Sequence, residues 1–212
     1  MHIPDGFLNG ATIGVTYAVS AGGVAFATRA AGKKLGEKHV PLMGIMAAFI
    51  FAAQMLNFPI AGGTSGHLLG AALAAILLGP WGGLLVMACV LLVQSLIFQD
   101  GGLLALGANV LNMGVAGCWI GFGVYTLTTK VIGVDRRGTL IGGFAAGWAS
   151  VFIASVLCSF ELAGSDASPL GVALPAMAGV HALIGLVEGL ITAVVLGFVW
   201  ATRSDLLQIE KV

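Results

Sequence analysis

The chain begins Met-His-Ile-Pro-Asp-Gly, and a histidine in second place lets an amino terminus act as a metal chelator. The α-amine of Met1, the peptide nitrogen of His2 once it is deprotonated, and Nδ1 of the His2 imidazole close two fused rings. Three nitrogens then lie nearly in one plane. Square-planar nitrogen fields suit Ni(II) and Cu(II), and a late transition metal is needed to displace a peptide proton near neutral pH. Zn(II), which prefers a tetrahedron, fits poorly. A fourth nitrogen is available from the segment Asn57-Phe-Pro-Ile-Ala-Gly-Gly-Thr-Ser-Gly-His67, which ends in a histidine.

These residues have to be positioned by a chain of 212 residues that is 58% hydrophobic and 8% charged, with 33 glycines and a mean hydropathy of +1.04. That composition belongs in a bilayer rather than in a soluble domain. Zero net charge and the lack of a basic run exclude nucleic acid as a partner. The first nine residues carry no Lys or Arg and no small-residue cleavage pattern follows, so Met1 is expected to remain. Cys89, Cys118 and Cys158 stand singly in apolar segments and read as buried, inert thiols.

Spans of about 20 apolar residues, divided by polar, Gly or Pro breaks, predict an all-α integral membrane bundle of seven transmembrane helices forming one domain over 1–212. They fall near 9–31, 41–58, 67–79, 81–98, 103–130, 138–160 and 170–200. The third is short enough to be tilted or re-entrant, and Pro175 is expected to mark the regular start of the seventh. Arg29, Lys33, Lys34, Lys38, Lys130, Arg136, Arg137, Arg203 and Lys211, all nine basic residues, sort to one side of this arrangement, and Asp5, Asp100, Glu161 and Asp166 to the other. The basic side is cytoplasmic, which places the amino terminus outside and the carboxyl terminus inside.

On that topology His2 and His67 share the outer face. Pro59, Gly62, Gly63 and Gly66 specify tight, irregular backbone that must be buried in protein or line a polar cavity. An amide anion and three neutral donors around a divalent ion leave a net charge near +1, which Asp5 is placed to offset. Asn57, Thr64 and Ser65 are candidates to hydrogen-bond the imidazoles, against ordinary turn chemistry.

The terminal MHIPDGFL together with FPIAGGTSGHLLG resembles the nickel and cobalt substrate-binding membrane proteins of the NikM/CbiM family, the S components of energy-coupling-factor transporters. The resemblance covers the whole chain in length and span count. It implies that Met1, His2 and His67 hold the metal, through the terminal amine, the amide and imidazole of His2 and the loop imidazole. Pro4-Asp5 after His-Ile resembles the nickel branch, whereas the cobalt branch usually has Met-Glu, so Ni(II) is favoured over Co(II). A multi-pass position in a prokaryotic plasma membrane is implied as well.

Transport against a gradient requires work, yet the chain has no GxxxxGK[ST] phosphate loop and no connection long enough for a nucleotide-binding domain. It is therefore expected to bind no nucleotide. The resemblance implies a coupling transmembrane protein, two cytoplasmic ATPase subunits and a small accessory membrane protein as partners. Ala48-x-x-x-Ala52 and its rival Ala21-x-x-x-Ala25 offer the small-residue surfaces that close helix docking in lipid uses, unless they serve internal packing.

Other polar residues support rival functions. His181 and Glu188 share a helix face within the membrane, as a proton relay for a stand-alone proton-coupled carrier would, or as a structural pair satisfied by Gln94, Asn109 or Asn112. Gly63-Thr-Ser-Gly66 matches the GxSG of rhomboid-type intramembrane serine proteases, with His181 as base to Ser65, but leaves the terminal Met-His unexplained. His39, among Lys33, Lys34, Glu37 and Lys38, reads as a solvated loop residue.

Overall fold

The structure is a computed structural model that describes residues 1–34, 36 and 39–211; Glu37 and Lys38 lie outside the described residues. Helices α1 (Gly10–Lys34), α2 (Val40–Gln54), α3 (Ala71–Val93), a short α4 (Leu106–Asn109), α5 (Gly117–Ile132), α6 (Arg136–Gly164) and α7 (Leu170–Thr202) follow in order. Wider π-helical turns, Gln94–Phe98 and Val110–Ala116, extend α3 and join α4 to α5. Among the described residues five helical runs are long and apolar enough by length and composition to cross a membrane: Gly10–Gly32, Ala71–Phe98, Leu106–Ile132, Arg136–Gly164 and Leu170–Thr202. The apolar α2, at 15 residues, is shorter.

The third and fourth expected spans form one run, broken where Gly79 adopts φ 71° and ψ 162° ahead of Pro80. The chain reverses there. A Cβ added at Gly83 would stand 2.9 Å from the amide nitrogen of Ala75 and 3.0 Å from Cys118 Sγ, and one at Gly117 would stand 3.0 Å from Cβ of Ala71. On an unbroken helix Ala75 and Gly83 would be about 12 Å apart. The segment 71–78 is thus a half-helix about 12 Å long, short of the membrane's hydrocarbon thickness of about 30 Å. Every residue from Ala71 to Pro80 is buried, as suits a helix that is apolar all round and has protein on every side.

The second expected span stops at Gln54. The chain that leaves it has its peptide groups taken by a hairpin, in which Phe58–Pro59 (β1) pairs antiparallel with Ser65–Gly66 (β2) in the register Phe58↔Gly66 and Pro59↔Ser65. Helix α7 begins at Leu170, ahead of Pro175, whose missing N–H frees only the Gly171 carbonyl near the helix start. Cys118 and Cys158 are buried, but Cys89 is exposed, because it lies on the outer face of the second half of α3.

One end of the bundle gathers the irregular segments. Asn9 Nδ2 donates to Gly164 O at 2.9 Å, Ser168 Oγ to Gly62 O at 2.8 Å and Asn57 Nδ2 to Asp100 Oδ2 at 2.8 Å. Residues 1–9, the 55–70 loop, the 99–105 loop and the 165–169 connection therefore meet over the half-helix.

Candidate metal centre

Residues 1–9 have no regular structure, yet Met1 and Ile3 are 0% exposed and His2 4%. Main-chain bonds thread this segment into the bundle. The Ile3 N–H donates to Asn109 Oδ1 at 2.8 Å, and the Ile3 carbonyl accepts from Asn109 Nδ2 at 3.1 Å and from the Gly102 N–H at 2.8 Å. That carbonyl has both lone pairs in use.

The hairpin meets the segment from the other side. The Met1 amine donates to the Ser65 carbonyl and, at 2.9 Å, to Ser65 Oγ, which also accepts the His2 N–H at 3.1 Å. The same amine stands 2.8 Å from His67 Nε2. The His2 and His67 rings stack, with centroids 4.4 Å apart and planes inclined by 19°.

Local geometry fixes His67 on both sides. A Cβ at Gly66 would meet the Phe58 ring at 2.8 Å, so only glycine lets the two hairpin strands close this tightly. Gly70, at φ 79°, turns the chain into α3. The Glu188 carboxylate accepts the Leu69 N–H at 3.0 Å and the Gly70 N–H at 2.6 Å, at the amino end of α3 where a negative group is favoured. Gln54 Nε2 donates to the Leu69 carbonyl at 2.7 Å.

Hydrogen bonds fix the tautomer of both imidazoles. His67 Nδ1–H donates to the Leu68 carbonyl at 2.7 Å, which leaves a lone pair on Nε2. His2 Nε2–H donates to Gln94 Oε1 at 3.1 Å, which leaves a lone pair on Nδ1. That Nδ1 is buried without a hydrogen-bond partner among the described residues; Asp100 Oδ1 is 3.2 Å away but is not aligned for a hydrogen bond. Burial pulls the Met1 amine from 8.0 down to about 5. Burial, reinforced by the nearby amine, pulls His2 down to about 3 and His67 well below its ordinary value. Burial therefore favours the uncharged form of each group.

The structure brings Met1, His2, His67 and Ser65 together and gives the other candidates different partners. Asp5 does not approach the imidazoles: its carboxylate accepts the N–H groups of Leu103, Leu104 and Ala105 at 3.2, 2.7 and 3.3 Å, and so anchors the 99–105 loop. Asn57 holds Asp100 rather than an imidazole. Thr64 faces sulfur, with its N–H 3.4 Å from Met177 Sδ and its Oγ1 3.8 Å from Cys158 Sγ. Gln94 serves His2, Asn109 clamps Ile3, and Asn112 Nδ2 donates to Glu161 at 2.5 Å, so none of the three satisfies His181 or Glu188. His181 Nδ1–H donates to Met177 O at 2.7 Å within its own helix.

Two residues at the site carry roles that sequence reasoning did not give them: Gln94, which sets the His2 tautomer, and Asp100, beside Nδ1. The signal was Gln99-Asp100-Gly101-Gly102, a polar turn closing an apolar run on the face assigned to His2. Among the described residues no three His, Cys, Asp or Glu side chains gather to hold a metal. The convergence here depends on main-chain nitrogen.

A bundle of long apolar helices with a buried nitrogen cluster at one end defines a multi-pass membrane protein. The profile of the CbiM family, cobalt uptake substrate-specific transmembrane region, matches residues 2–206, and the chain belongs to that family. A provisionally named fused nickel transport protein NikMN of Archaeoglobus fulgidus is 44% identical over 210 residues, 98% of this chain and 68% of that one. The cobalt transport protein CbiM of Sorangium cellulosum is 35% identical over 177 residues, 80% of this chain and 76% of that one. A crystal structure of a truncated transition metal transporter superposes with a TM-score of 0.86 at 32% identity, covering 97% of this chain and 99% of that chain. The family and these relatives are transport proteins, not enzymes. The protease reading also lacks its dyad, because Ser65 Oγ is engaged by Met1 and His2 and not by His181.

Proposed function

We propose that this chain is the metal-binding membrane component of an uptake system for Ni(II), with Co(II) as the second substrate. The ion is held by the Met1 amine, the deprotonated peptide nitrogen and Nδ1 of His2, and Nε2 of His67. The observation that carries this reading is the 2.8 Å between the Met1 nitrogen and His67 Nε2. Metal–nitrogen bonds of about 2.0 Å at right angles put neighbouring donors about 2.8 Å apart. The orphaned Nδ1 of His2 supports the same set. Four nitrogens in a plane favour nickel over cobalt.

The amino terminus faces outside. Supporting this are the collection of the 1–9, 55–70, 99–105 and 165–169 segments at one end and the position of Arg29, Lys130, Arg136, Arg137 and Arg203 at the far ends of their helices. The reversal at Gly79 supports seven traverses, the third made by the hairpin loop and the half-helix. The chain acts as the S component beside a coupling membrane protein, two cytoplasmic ATPases and a small accessory membrane protein. Ala48 and Ala52, like Ala21 and Ala25, are exposed on the outer faces of α2 and α1, where a coupling helix can pack. The deciding experiment is metal analysis of the full chain purified with a free amino terminus: one nickel per chain is expected, and a metal-free protein after nickel loading would overturn the reading.

A further inference from the structure

His2 Nδ1 and Asp100 Oδ1 are 3.2 Å apart. Because the ring proton of His2 is committed to Gln94 on Nε2, Nδ1 carries a lone pair beside a carboxylate oxygen that also has only lone pairs to offer. Two acceptors at that separation repel each other, and a cation beside them turns the repulsion into attraction. The arrangement is built rather than incidental. Asn57 Nδ2 donates to the other carboxylate oxygen, Oδ2, at 2.8 Å, and the Asp100 N–H donates at 3.1 Å to the carbonyl of Gln94, the residue whose side chain holds His2 from behind. The π-helical turn Gln94–Phe98, closed by Gln99 at φ 55°, brings Gln94 and Asp100 to opposite edges of one imidazole. Wide turns of this kind recur at functional sites.

Asp100 is the more accessible member of this pair. Its side chain is 17% exposed where that of His2 is 2%. Its chain neighbours Gln99 and Gly101 line an open cavity of about 390 Å³ together with Pro4, Asp5, Ser95 and Gly102. The carboxylate of Asp5 in that cavity is already occupied by three N–H groups, whereas Asp100 Oδ1, behind the cavity wall formed by its neighbours, has no hydrogen bond among the described residues.

The geometry points to Asp100 as the capture ligand for the incoming divalent cation. It takes the hydrated ion from the mouth cavity, passes it to His2 Nδ1, and remains beside the bound ion as its compensating negative charge. The role rests on the chelate proposed above. A fixed carboxylate at a mouth with low-dielectric walls raises the association rate of a cation and makes that rate sensitive to salt.

The test is rapid mixing of NiCl2 with the full chain in detergent, tagged only at its carboxyl end, following the absorbance of the square-planar nickel over a series of ionic strengths. Asp100→Asn, which keeps the shape and an acceptor for Asn57, should slow association about tenfold or more and flatten its salt dependence. Its final spectrum and one-to-one stoichiometry should match the parent. Asp100→Glu should restore part of the rate. A residue that merely braces the loop would leave the salt dependence unchanged in Asp100→Asn. Unchanged rate and salt dependence overturn the inference alone. Nickel binding that survives a residue added before Met1 overturns the chelate, and the inference with it.

Discussion

The Met1 amine and Nε2 of His67, 66 positions apart in the chain, stand 2.8 Å from one another inside the protein. Two of the amine's hydrogens point to Ser65, and the ring proton of His67 points to Leu68. What remains between the two nitrogens is a pair of lone pairs, which either share one proton or bind one cation. Metal and proton therefore compete for the same place.

The competition has a definite pH dependence. The folded amine loses its proton at about 5 instead of 8.0, and His2 at about 3 instead of 6.5, both chiefly through burial. Above these values the bases are already neutral, so metal binding releases only the His2 peptide proton. Nickel affinity should rise by about tenfold per pH unit from about pH 6 to 8, and fall more steeply below about pH 5, where the amine also has to be deprotonated. Titration calorimetry in buffers across this range measures the slope. A flat profile rules out the amide nitrogen, and a slope near two at neutrality means that the amine keeps its solution pKa.

One residue placed before Met1, or acetylation of Met1, removes the amine from the fused rings while leaving every side chain in the chain. Nickel content and uptake should collapse to background, compared with a carboxyl-terminally tagged control at equal expression. Equal nickel content in the two proteins would refute the chelate.

His67→Ala should weaken nickel binding by orders of magnitude, because it deletes a donor from a loop end. Gln94→Leu should cost about 10–100-fold, the usual effect of losing the group that orients a ligating histidine, because His2 is then free to place its proton on Nδ1. Calorimetry on both, with thermal unfolding as a check of the fold, tests the order of the two effects. A Gln94→Leu protein with parental affinity would remove Gln94 from the site.

Glu188 is predicted to act on stability. Its carboxylate satisfies two buried N–H groups where α3 begins, and each bond to a charged acceptor contributes about 1.5–3 kcal/mol. Glu188→Ala should lower the unfolding temperature markedly and Glu188→Gln less, since the amide keeps one acceptor. Metal uptake by the parent chain should not respond to an imposed proton gradient. A response would revive the proton-coupled carrier.

The proposed metal donors could be named from the sequence because their chemistry is local. Met1 and His2 are adjacent, and the fused rings follow from covalent geometry alone. Membrane character was equally legible, because apolar length is read directly from composition. His67 entered through the sorting of charges between loops and through the resemblance to a family. What surrounds the donors was not legible. Gln94, Asp100 and Asn109 lie in unrelated stretches of sequence, and only the threading of residues 1–3 beneath the hairpin makes them partners of His2 and Ile3. Asp5 had the right charge and lies close in sequence, yet the 103–105 N–H groups, which span placement does not locate, took it first. The reversal at Gly79 was likewise decided in three dimensions: glycine permits φ 71° but does not require it, and the packing of Gly83 on Ala75 is what the turn achieves. Sequence determined which atoms are candidate donors; tertiary structure decided which of them keep a free lone pair, because that depends on where every competing hydrogen bond ends.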